Sequence, residues 1–359
     1  MPFLRSDIDT LDEGLMEQAQ RRLDQLTKPL GSLGRLEAVA KQLVGIRRHL
    51  RPQVADKVII TMAADHGVAA EGVSAYPQAV TAQMVANFLR GGAGINVLAR
   101  HVGARIVVVD MGVAAELAPH PDLVSRKIRA GTSNFAQGPA MTREEASAAI
   151  AAGCEIARRE IERGADLIGT GDMGIGNTTA SSAIAAVMTG ASVERVTGHG
   201  TGIDEVTHGR KINVIQRALE RHRPDPSDPL EVLAKVGGFE IAGLAGVILD
   251  GARAHRPVVI DGFISGAAAL IAAGFEPQVR GYLIASHRSH EPGHRLVLEH
   301  LGLQPLLDLD LRLGEGTGAA LAMPLIEAAV CVLNEMATFE EAGVSHSSTV
   351  HRRPSTDKE

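Results

Sequence analysis

From residue 57 onward, short apolar runs with strand character alternate with longer stretches of helical periodicity, and this alternation restricts the fold more than any other feature. The strand-like runs lie at 58–62, 105–110, 166–169, 257–261 and 282–286. The helical stretches include 77–89, 93–100, 143–163, 178–188, 203–221 and 263–273. Apolar strands joined by helical crossovers predict an α/β fold with a doubly wound, mainly parallel sheet and helices on both faces.

The first fifty residues carry helical periodicity and no strand pattern. Apolar residues recur at helical spacing from Leu11 to Leu26 and from Leu36 to Ile46, on either side of a turn-rich joint. We expect residues 1–55 and 325–345 to form a small helical domain, and residues 56–324 to form a large α/β catalytic domain. The tail at 346–359, rich in Ser, His, Thr and Arg, is expected to be flexible.

The composition excludes several classes of protein. A formal net charge of −6 gives no basic surface for nucleic acid, and an aromatic content of 3% is too low for a base-stacking platform. The amino terminus lacks the apolar core of a signal peptide and no run reaches spanning length, so we expect a cytoplasmic protein without membrane contact. Cys154 and Cys331 lie in alanine-rich helical patterns and are expected to be buried, unpaired thiols.

Polar residues and glycines follow each predicted strand. In doubly wound sheets, ligands bind outside the carboxyl ends of the strands. Turn chemistry also favours Gly and Asp, so one such group means little, but five of them at one sheet edge predict a binding crevice. The five groups are Asp65-His66-Gly67, Asp110-Met111-Gly112, the stretch 171–179, Asp261-Gly262 and Ser286-His287-Arg288-Ser289.

Two glycine-rich loops are candidates for binding a phosphate. The stretch 169–179 can offer backbone amides, and Asn177 and Thr178 can cap the helix that follows. It has neither the Gly-Lys-Ser/Thr ending of a Walker loop nor the spacing of the dinucleotide fingerprint. A second loop at 197–202 leads into a helix that carries Lys211. The alternatives are a plain strand-to-helix turn and a surface lysine.

A glutamate bracketed by glycines, Gly314-Glu315-Gly316-Thr317-Gly318, precedes a long apolar helix. Glycine disfavours both helix and strand, so this acid is predicted to lie in a loop where a ligand can approach the backbone. The amides at the start of the next helix can receive an anion. If closure around a substrate excludes water, the Glu315 carboxylate can act as a general base. The alternative is a solvated turn glutamate.

The string His290-Glu291-Pro292-Gly293-His294 matches the zincin pattern in its letters. Zinc binding in that pattern requires both histidines one turn apart on a continuous helix. Pro292 favours the first turn of a helix, which would leave His290 outside it, so we expect no metal here. A metal-dependent hydrolase that uses residues 287–294 remains one alternative function. A non-catalytic module that binds a mononucleotide through the glycine loops is the other.

The sequence resembles the nicotinate-nucleotide–dimethylbenzimidazole phosphoribosyltransferase family through nearly its whole length. The ordered matches are KPLGSLGRLE at 28–37, DHGV at 65–68, GVSAYPQ at 72–78, GIGNTT at 174–179, KVGGFE at 235–240, DGF at 261–263 and RLGEGTGAA at 312–320. The resemblance implies a three-layer α/β domain, a small helical domain from the terminal segments, and a homodimer. It also implies transfer of the phosphoribosyl group from nicotinate mononucleotide to 5,6-dimethylbenzimidazole, with no metal and no redox cofactor.

The resemblance also assigns roles to residues of this chain. The family's general base corresponds to Glu315 and its second pocket acid to Asp172, a position where the family usually has glutamate. Because aspartate is one methylene shorter than glutamate, the Asp172 carboxyl reaches less far toward the substrate. Phosphate contacts would come from Gly174, Gly176, Asn177, Thr178, Lys211, Ser289, Gly316 and Gly318. The base pocket would be lined by Tyr76, Met84 and Met173, although helical spacing also allows Met84 to be a plain core residue.

Overall fold

A six-stranded sheet forms the centre of the molecule in this computed structural model, which describes residues 8–345. The strands are β1 (Lys57–Ala64), β2 (Arg105–Gly112), β3 (Leu123–Ser125), β4 (Leu167–Met173), β5 (Val258–Ile260) and β6 (Leu283–Ala285). Their order is β3-β2-β1-β4-β5-β6, and every neighbouring pair is parallel. The predicted α/β class with a parallel sheet is confirmed. This strand order reverses direction between β1 and β4, where ligands bind in doubly wound folds.

Helices cover both faces of the sheet. They are α1 (Glu13–Gln25), α2 (Arg35–Arg47), α3 (Val80–Leu89), α4 (Gly94–Val102), α5 (Arg143–Glu162), α6 (Asn177–Thr189), α7 (Val193–Val196), α8 (Glu205–His222), α9 (Pro229–Val236), α10 (Phe239–Arg253), α11 (Phe263–Phe275), α12 (Pro292–Leu301), α13 (Thr317–Glu335) and α14 (Phe339–Ala342). Short 3₁₀ helices span Gly67–Glu71 and Pro277–Tyr282.

The central strand β1 shows how one sheet forms two cores. All eight of its residues are buried, which is typical of a strand covered on both faces. Side chains alternate along a strand, so Val58, Ile60 and Met62 join the cluster that includes residues of α5, α10 and α11. Ile59 and Ala63 join the opposite cluster, which includes residues of α1, α2, α4 and α13.

Helices α5 and α10 pack with their backbones in contact because each has glycine at the interface, Gly153 in α5 and Gly243 and Gly246 in α10. A β-carbon on Gly153 would lie 1.8 Å from the carbonyl oxygen of Gly243, and one on Gly246 would lie 2.1 Å from the carbonyl oxygen of Ile150. Any side chain at these positions would push the two helices apart. The sequence analysis did not identify α10, whose residues from Phe239 to Ala252 are all buried.

Helix α13 lies against the sheet and joins it to the amino-terminal helices. Arg22 of α1 donates from Nε to the carbonyl oxygen of Leu333, at 2.8 Å. By length and hydropathy α13 could cross a membrane, so the expectation that no run reaches that length is wrong. More than half of its apolar window is nevertheless buried within the protein, as in a core helix.

Two further differences from the sequence analysis concern a short strand and one cysteine. Strand β3 was missed because three residues of edge strand give no recognisable alternation. Cys154 is buried as expected, but Cys331 is exposed on α13, so that prediction is wrong for Cys331. Burial raises the pKa of the Cys154 thiol to about 11, which makes it unreactive. The predicted flexible tail at 346–359 lies outside the described residues.

Candidate active site

A cavity of about 280 Å³ opens beyond the ends of β4, β5 and β6. Polar side chains and glycines from several loops surround it, in agreement with the predicted crevice at the carboxyl edge of the sheet. Seven of the predicted site residues line it: Tyr76, Asp172, Met173, Gly174, Asn177, Thr178 and Ser289. Lining residues that were not among the predicted substrate-binding or catalytic residues include Phe263, His287, Glu291 and Arg312. His287 belongs to one of the five strand-end groups. The remaining predicted residues, Met84, Gly176, Lys211, Glu315, Gly316 and Gly318, lie outside this lining.

Glu315 directly follows Leu313 and Gly314, two residues of the cavity wall, and adopts an unusual backbone conformation. Its φ is 65°, in the left-handed region, between Gly314 and Gly316, which also have positive φ. A residue with a β-carbon pays about 1–3 kcal/mol for such a conformation, so the surrounding structure must hold it there.

Three hydrogen bonds from distant parts of the chain hold Glu315. Its amide donates to the carbonyl oxygen of Asp172 at 3.2 Å, and its carbonyl accepts from Thr61 Oγ1 at 2.9 Å. The amide of Ile95, at the start of α4, donates to Glu315 Oε2 at 3.0 Å. Both the main chain and the carboxylate are therefore fixed, and the interpretation as a solvated turn glutamate is wrong, because only 3% of the residue is exposed.

The Glu315 carboxyl has the environment that a general base requires. Burial raises the pKa of Glu315 above its ordinary value, and the hydrogen bond from the Ile95 amide partly offsets the rise. A carboxylate with a raised pKa holds an accepted proton more tightly than a solvated one does. The site can thus take a proton from a ligand without a histidine.

Asp172 ends β4 beside Glu315 and is also buried. Burial, followed by the nearby Asp261 and Glu240 carboxylates, raises the pKa of Asp172 well above its ordinary value. Asn177 donates from Nδ2 to Asp172 Oδ2 at 2.9 Å, and Oδ1 has no hydrogen-bond partner in the described part of the chain. An uncommitted buried oxygen at the cavity wall is available to a ligand.

The amides at the start of α13 already have a partner, which is the carboxyl group of Asp261. Asp261, at the end of β5, accepts from the amide of Gly316 at 3.2 Å and from the amide of Ala319 at 3.0 Å. The amide of Gly318 also bonds to Asp261, and burial raises the pKa of this aspartate to about 7. Phosphate binding by Gly316 and Gly318 therefore stays a prediction, and it would require Asp261 to release those amides.

The loop between β4 and α6 is shaped by close packing against β1. A β-carbon on Gly174 would lie 2.4 Å from the carbonyl oxygen of Ala64, so only glycine fits there. Gly176 has φ of 97° and precedes Asn177, the first residue of α6. The loop thus presents the amino end of a helix to the cavity, as the phosphate prediction requires.

Lys211 lies beneath this loop rather than on the surface. Its Nζ donates to Thr178 Oγ1 at 2.9 Å and to the carbonyl oxygen of Gly198 at 3.2 Å. The residue is fully buried, and burial lowers the pKa of Lys211 to about 8. The alternative of a surface lysine is wrong. The ammonium group contacts the cavity wall through Thr178 and joins the two predicted phosphate loops.

The zincin-like string does not form a zinc-binding helix. Helix α12 begins at Pro292 with Glu291 as its cap, so His290 lies outside the helix, as predicted. His294 Nδ1 accepts from the amide of Ser289 at 3.0 Å, and burial lowers the pKa of His294 to about 3. This neutral imidazole positions the backbone of Ser289, which lines the cavity.

The three residues predicted for the base pocket lie in different environments. Met173 lines the cavity, and so does Tyr76, which is 55% exposed. Met84 is partly buried against the cluster that α13 shares with the sheet. For Met84, the alternative of a plain core residue fits this position better.

The sequence analysis did not predict which residues support the Glu315 loop, although it placed Asp261 in one of the five strand-end groups. Thr61, Ile95 and Asp261 hold the Glu315 loop, yet they lie 254, 220 and at least 55 positions away in sequence. His66 Nε2 and Glu240 Oε1 form a fully buried pair, 2.5 Å apart, behind Gly174. The strand-end position of Asp261 was a usable signal. Thr61, a buried threonine, and the backbone amide of Ile95 gave no signal in the sequence.

Comparison with known proteins defines the class to which this fold and site belong. The model of a family described as Phosphoribosyltransferase matches residues 8–344, so the chain belongs to this family. A nicotinate-nucleotide–dimethylbenzimidazole phosphoribosyltransferase from Chloroflexus aurantiacus is 60% identical over 95% of this chain and 97% of its own length. One from Desulforudis audaxviator is 59% identical over 97% of this chain and 99% of its own.

A solved structure agrees with these relatives. The crystal structure of the enzyme of the same name from Thermus thermophilus superposes with a TM-score of 0.90 at 53% sequence identity. The match covers 94% of this chain and all of that one.

Proposed function

We propose that this protein transfers the 5-phosphoribosyl group from nicotinate mononucleotide to 5,6-dimethylbenzimidazole, giving α-ribazole 5′-phosphate and nicotinate. The observation that carries the proposal is the buried carboxylate of Glu315, which directly follows two residues of the cavity wall. One hydrogen bond holds this carboxylate, and two more hold the main chain of Glu315. The relatives that are about 60% identical and carry this activity in their names support the choice of substrates.

The chemistry of the reaction explains why one buried carboxylate suffices. Nicotinate leaves as the bond from C1′ to the pyridinium nitrogen breaks, and the electron pair neutralises the ring cation, so no acid is needed. The free ring nitrogen of the benzimidazole attacks C1′ from the opposite face, and the benzimidazole ring becomes positively charged. Its other nitrogen then gives up its N–H proton, which Glu315 accepts. The negative carboxylate also stabilises the cation as it forms.

Binding of the phosphate would place C1′ for in-line attack. The amino end of α6, Thr178 and Ser289 provide donors at the cavity wall, and Lys211 adds positive charge from beneath. Binding energy gained at the remote phosphate then serves to orient the reacting carbon. Asp172, whose Oδ1 is uncommitted, would bond the ribose or the incoming base.

We also propose a homodimer and a cytoplasmic location, as the family resemblance implies, and a small domain formed by residues 1–55 and 325–345. The bond from Arg22 to the Leu333 carbonyl supports the pairing of the two terminal segments. Exposed apolar side chains such as Val97 and Leu313 support burial against a second copy. Light scattering on the purified protein measures the oligomeric state.

Product formation tests the proposed function. Purified protein is incubated with nicotinate mononucleotide, with and without 5,6-dimethylbenzimidazole, and the products are separated by chromatography. We expect equal amounts of nicotinate and α-ribazole 5′-phosphate, and only when the benzimidazole is present. Nicotinate release without the acceptor would indicate the hydrolase alternative, and binding without any product would indicate the non-catalytic module.

A further inference from the structure

Two histidines and a glutamate form a cluster on the surface beside the second glycine loop. His199 lies in that loop, and Glu205 and His208 lie in the first turns of α8. His199 Nε2 is 3.6 Å from Glu205 Oε1, and His208 Nδ1 is 3.9 Å from Glu205 Oε2. One ligand atom from each of the three residues lies within 4.8 Å of the other two.

The other ring nitrogens of both histidines are committed to backbone carbonyls. His199 Nδ1 lies 2.9 Å from the carbonyl oxygen of Ile203, and His208 Nε2 lies 3.0 Å from that of Thr197. A carbonyl oxygen only accepts, so each of these nitrogens carries the hydrogen. In the neutral rings, the lone pairs are then on His199 Nε2 and His208 Nδ1, the two atoms that approach Glu205. In metal sites, a hydrogen bond from the ring nitrogen that does not bind the metal orients the histidine in the same way.

We propose that His199, Glu205 and His208 bind one divalent transition-metal ion, with zinc as the ion that fits best. Two imidazole nitrogens and one carboxylate oxygen, with water as the fourth ligand, form a tetrahedral zinc site. Zinc bonds of about 2.0–2.2 Å place neighbouring ligand atoms about 3.4 Å apart. The contacts of 3.6 Å and 3.9 Å, which run to different oxygens of Glu205, must therefore shorten onto one oxygen when the ion binds. The site uses no residue of the zincin-like string, although His290, Glu291 and Pro292 line the same surface pocket as His199 and His208. It takes no part in the transfer chemistry.

The two imidazole rings must move slightly to bind the ion. The rings stack with centroids 4.4 Å apart and 24° between their planes. Metal coordination requires both rings to tilt until their planes meet at the ion. The His199 side chain is 48% exposed and that of Glu205 is 86% exposed, which leaves both free to adjust.

Binding of the ion would fix the second glycine loop, which accepts a hydrogen bond from Lys211. The Gly198 carbonyl accepts from Lys211 Nζ at 3.2 Å, and the Gly200 amide donates to Glu291 Oε1 at 2.8 Å. His199 lies between these two contacts, and the ion would join it to α8. The expected effect is a more stable loop at one side of the cavity.

Zinc titration of the metal-free protein, with any affinity tag removed, tests the proposal by calorimetry and thermal unfolding. The test variants His199→Asn and His208→Gln each keep a donor for the backbone carbonyl while removing the lone pair that would face zinc. His222→Gln is the matched control, because His222 lies on the same helix and also bonds to a carbonyl through Nε2. Glu205→Gln removes the negative ligand.

We expect one zinc ion per chain in the wild type and in His222→Gln, and a rise of Tm by a few degrees on binding. Each of the three cluster variants should weaken zinc binding at least about tenfold and lose the rise in Tm. Binding should also weaken in acid, because protons compete for the imidazole lone pairs.

Circular dichroism confirms that the variants fold. Equal zinc binding by folded His199→Asn, His208→Gln and wild type would overturn the proposal, and so would absence of binding in the wild type.

Discussion

The backbone amide of Glu315 donates to the backbone carbonyl of Asp172, at 3.2 Å, so the main chain itself joins the two acids of the candidate site. Because the bond fixes the loop against the end of β4, the position of the Glu315 carboxylate depends on the strand beside it. The approach is close enough that a β-carbon on Gly171 would lie 2.2 Å from the carbonyl oxygen of Glu315.

Gly171→Ala should therefore displace the Glu315 loop and reduce turnover. A displacement of about 1 Å in a catalytic group can cost about a hundredfold in rate, and we expect a loss of that order. Steady-state kinetics on the folded variant provides the measurement. The comparison is Gly169→Ala in the same strand, where the new β-carbon meets movable side chains at 3.0 Å or more. An equal, small effect of both substitutions would contradict the role of the contact.

Asp172→Asn should stabilise the protein increasingly as pH rises. Because the pKa of Asp172 is raised in the folded state, ionisation costs the folded protein more than the unfolded chain. The wild type therefore loses stability as pH rises above about 4, where an unfolded aspartate ionises, and the neutral amide avoids that loss. We expect the gap in unfolding free energy to grow to about 1 kcal/mol or more by pH 7.

Thermal unfolding of wild type and Asp172→Asn between pH 4 and pH 8 measures this gap. Asp225→Asn serves as the comparison, because hydrogen bonds from Ser227 lower the pKa of Asp225 and the sign of any effect reverses. A gap for Asp172→Asn that stays constant over this range would mean that the buried carboxyl does not titrate as described.

The base pocket should accept several benzimidazoles. Met173 and Tyr76 offer a polarisable, mostly apolar surface with one hydroxyl, which suits the face of a planar ring. A missing methyl in such a pocket changes affinity by only about 1–3 kcal/mol. Competition between benzimidazole and 5,6-dimethylbenzimidazole measures the discrimination. A preference far beyond a few hundredfold would show that other residues control the choice.

Transfer activity should survive treatment with chelators. Since His290 lies outside α12 and His294 Nδ1 accepts from the Ser289 amide, the zincin-like string offers no pair of ligands on one helix face. Turnover measured before and after dialysis against EDTA should agree. Loss of turnover that zinc restores in the wild type and equally in His199→Asn would revive the hydrolase alternative.

The sequence predicted the sheet, most helices and the position of the crevice, because these follow from local periodicity and from the rule for strand ends. It also predicted that Pro292 would exclude His290 from the helix. Local periodicity and the strand-end rule could not predict which residues hold the Glu315 loop in place. Thr61, Ile95 and Asp261 reach the Glu315 loop from separate elements, and only the folded chain brings them together.

The same reason explains why three single positions differ from what their local sequence suggested. The glycines of the Glu315 motif suggested free amides for a phosphate, but a distant carboxylate, Asp261, occupies them. Lys211 carried no sign of burial because its partners, Thr178 and the Gly198 carbonyl, lie in other segments. Cys331 shares an apolar helical pattern with buried neighbours and faces outward nonetheless.

The turnover of Glu315→Gln tests the central claim most directly. Glutamine keeps an oxygen that accepts from the Ile95 amide but cannot take the proton from the benzimidazole. We predict that turnover falls about 10²–10⁴-fold, while calorimetry shows nicotinate mononucleotide still bound, and that Glu340→Gln at an exposed site leaves turnover unchanged. A Glu315→Gln variant with near-normal turnover would contradict the assignment of Glu315 as the base.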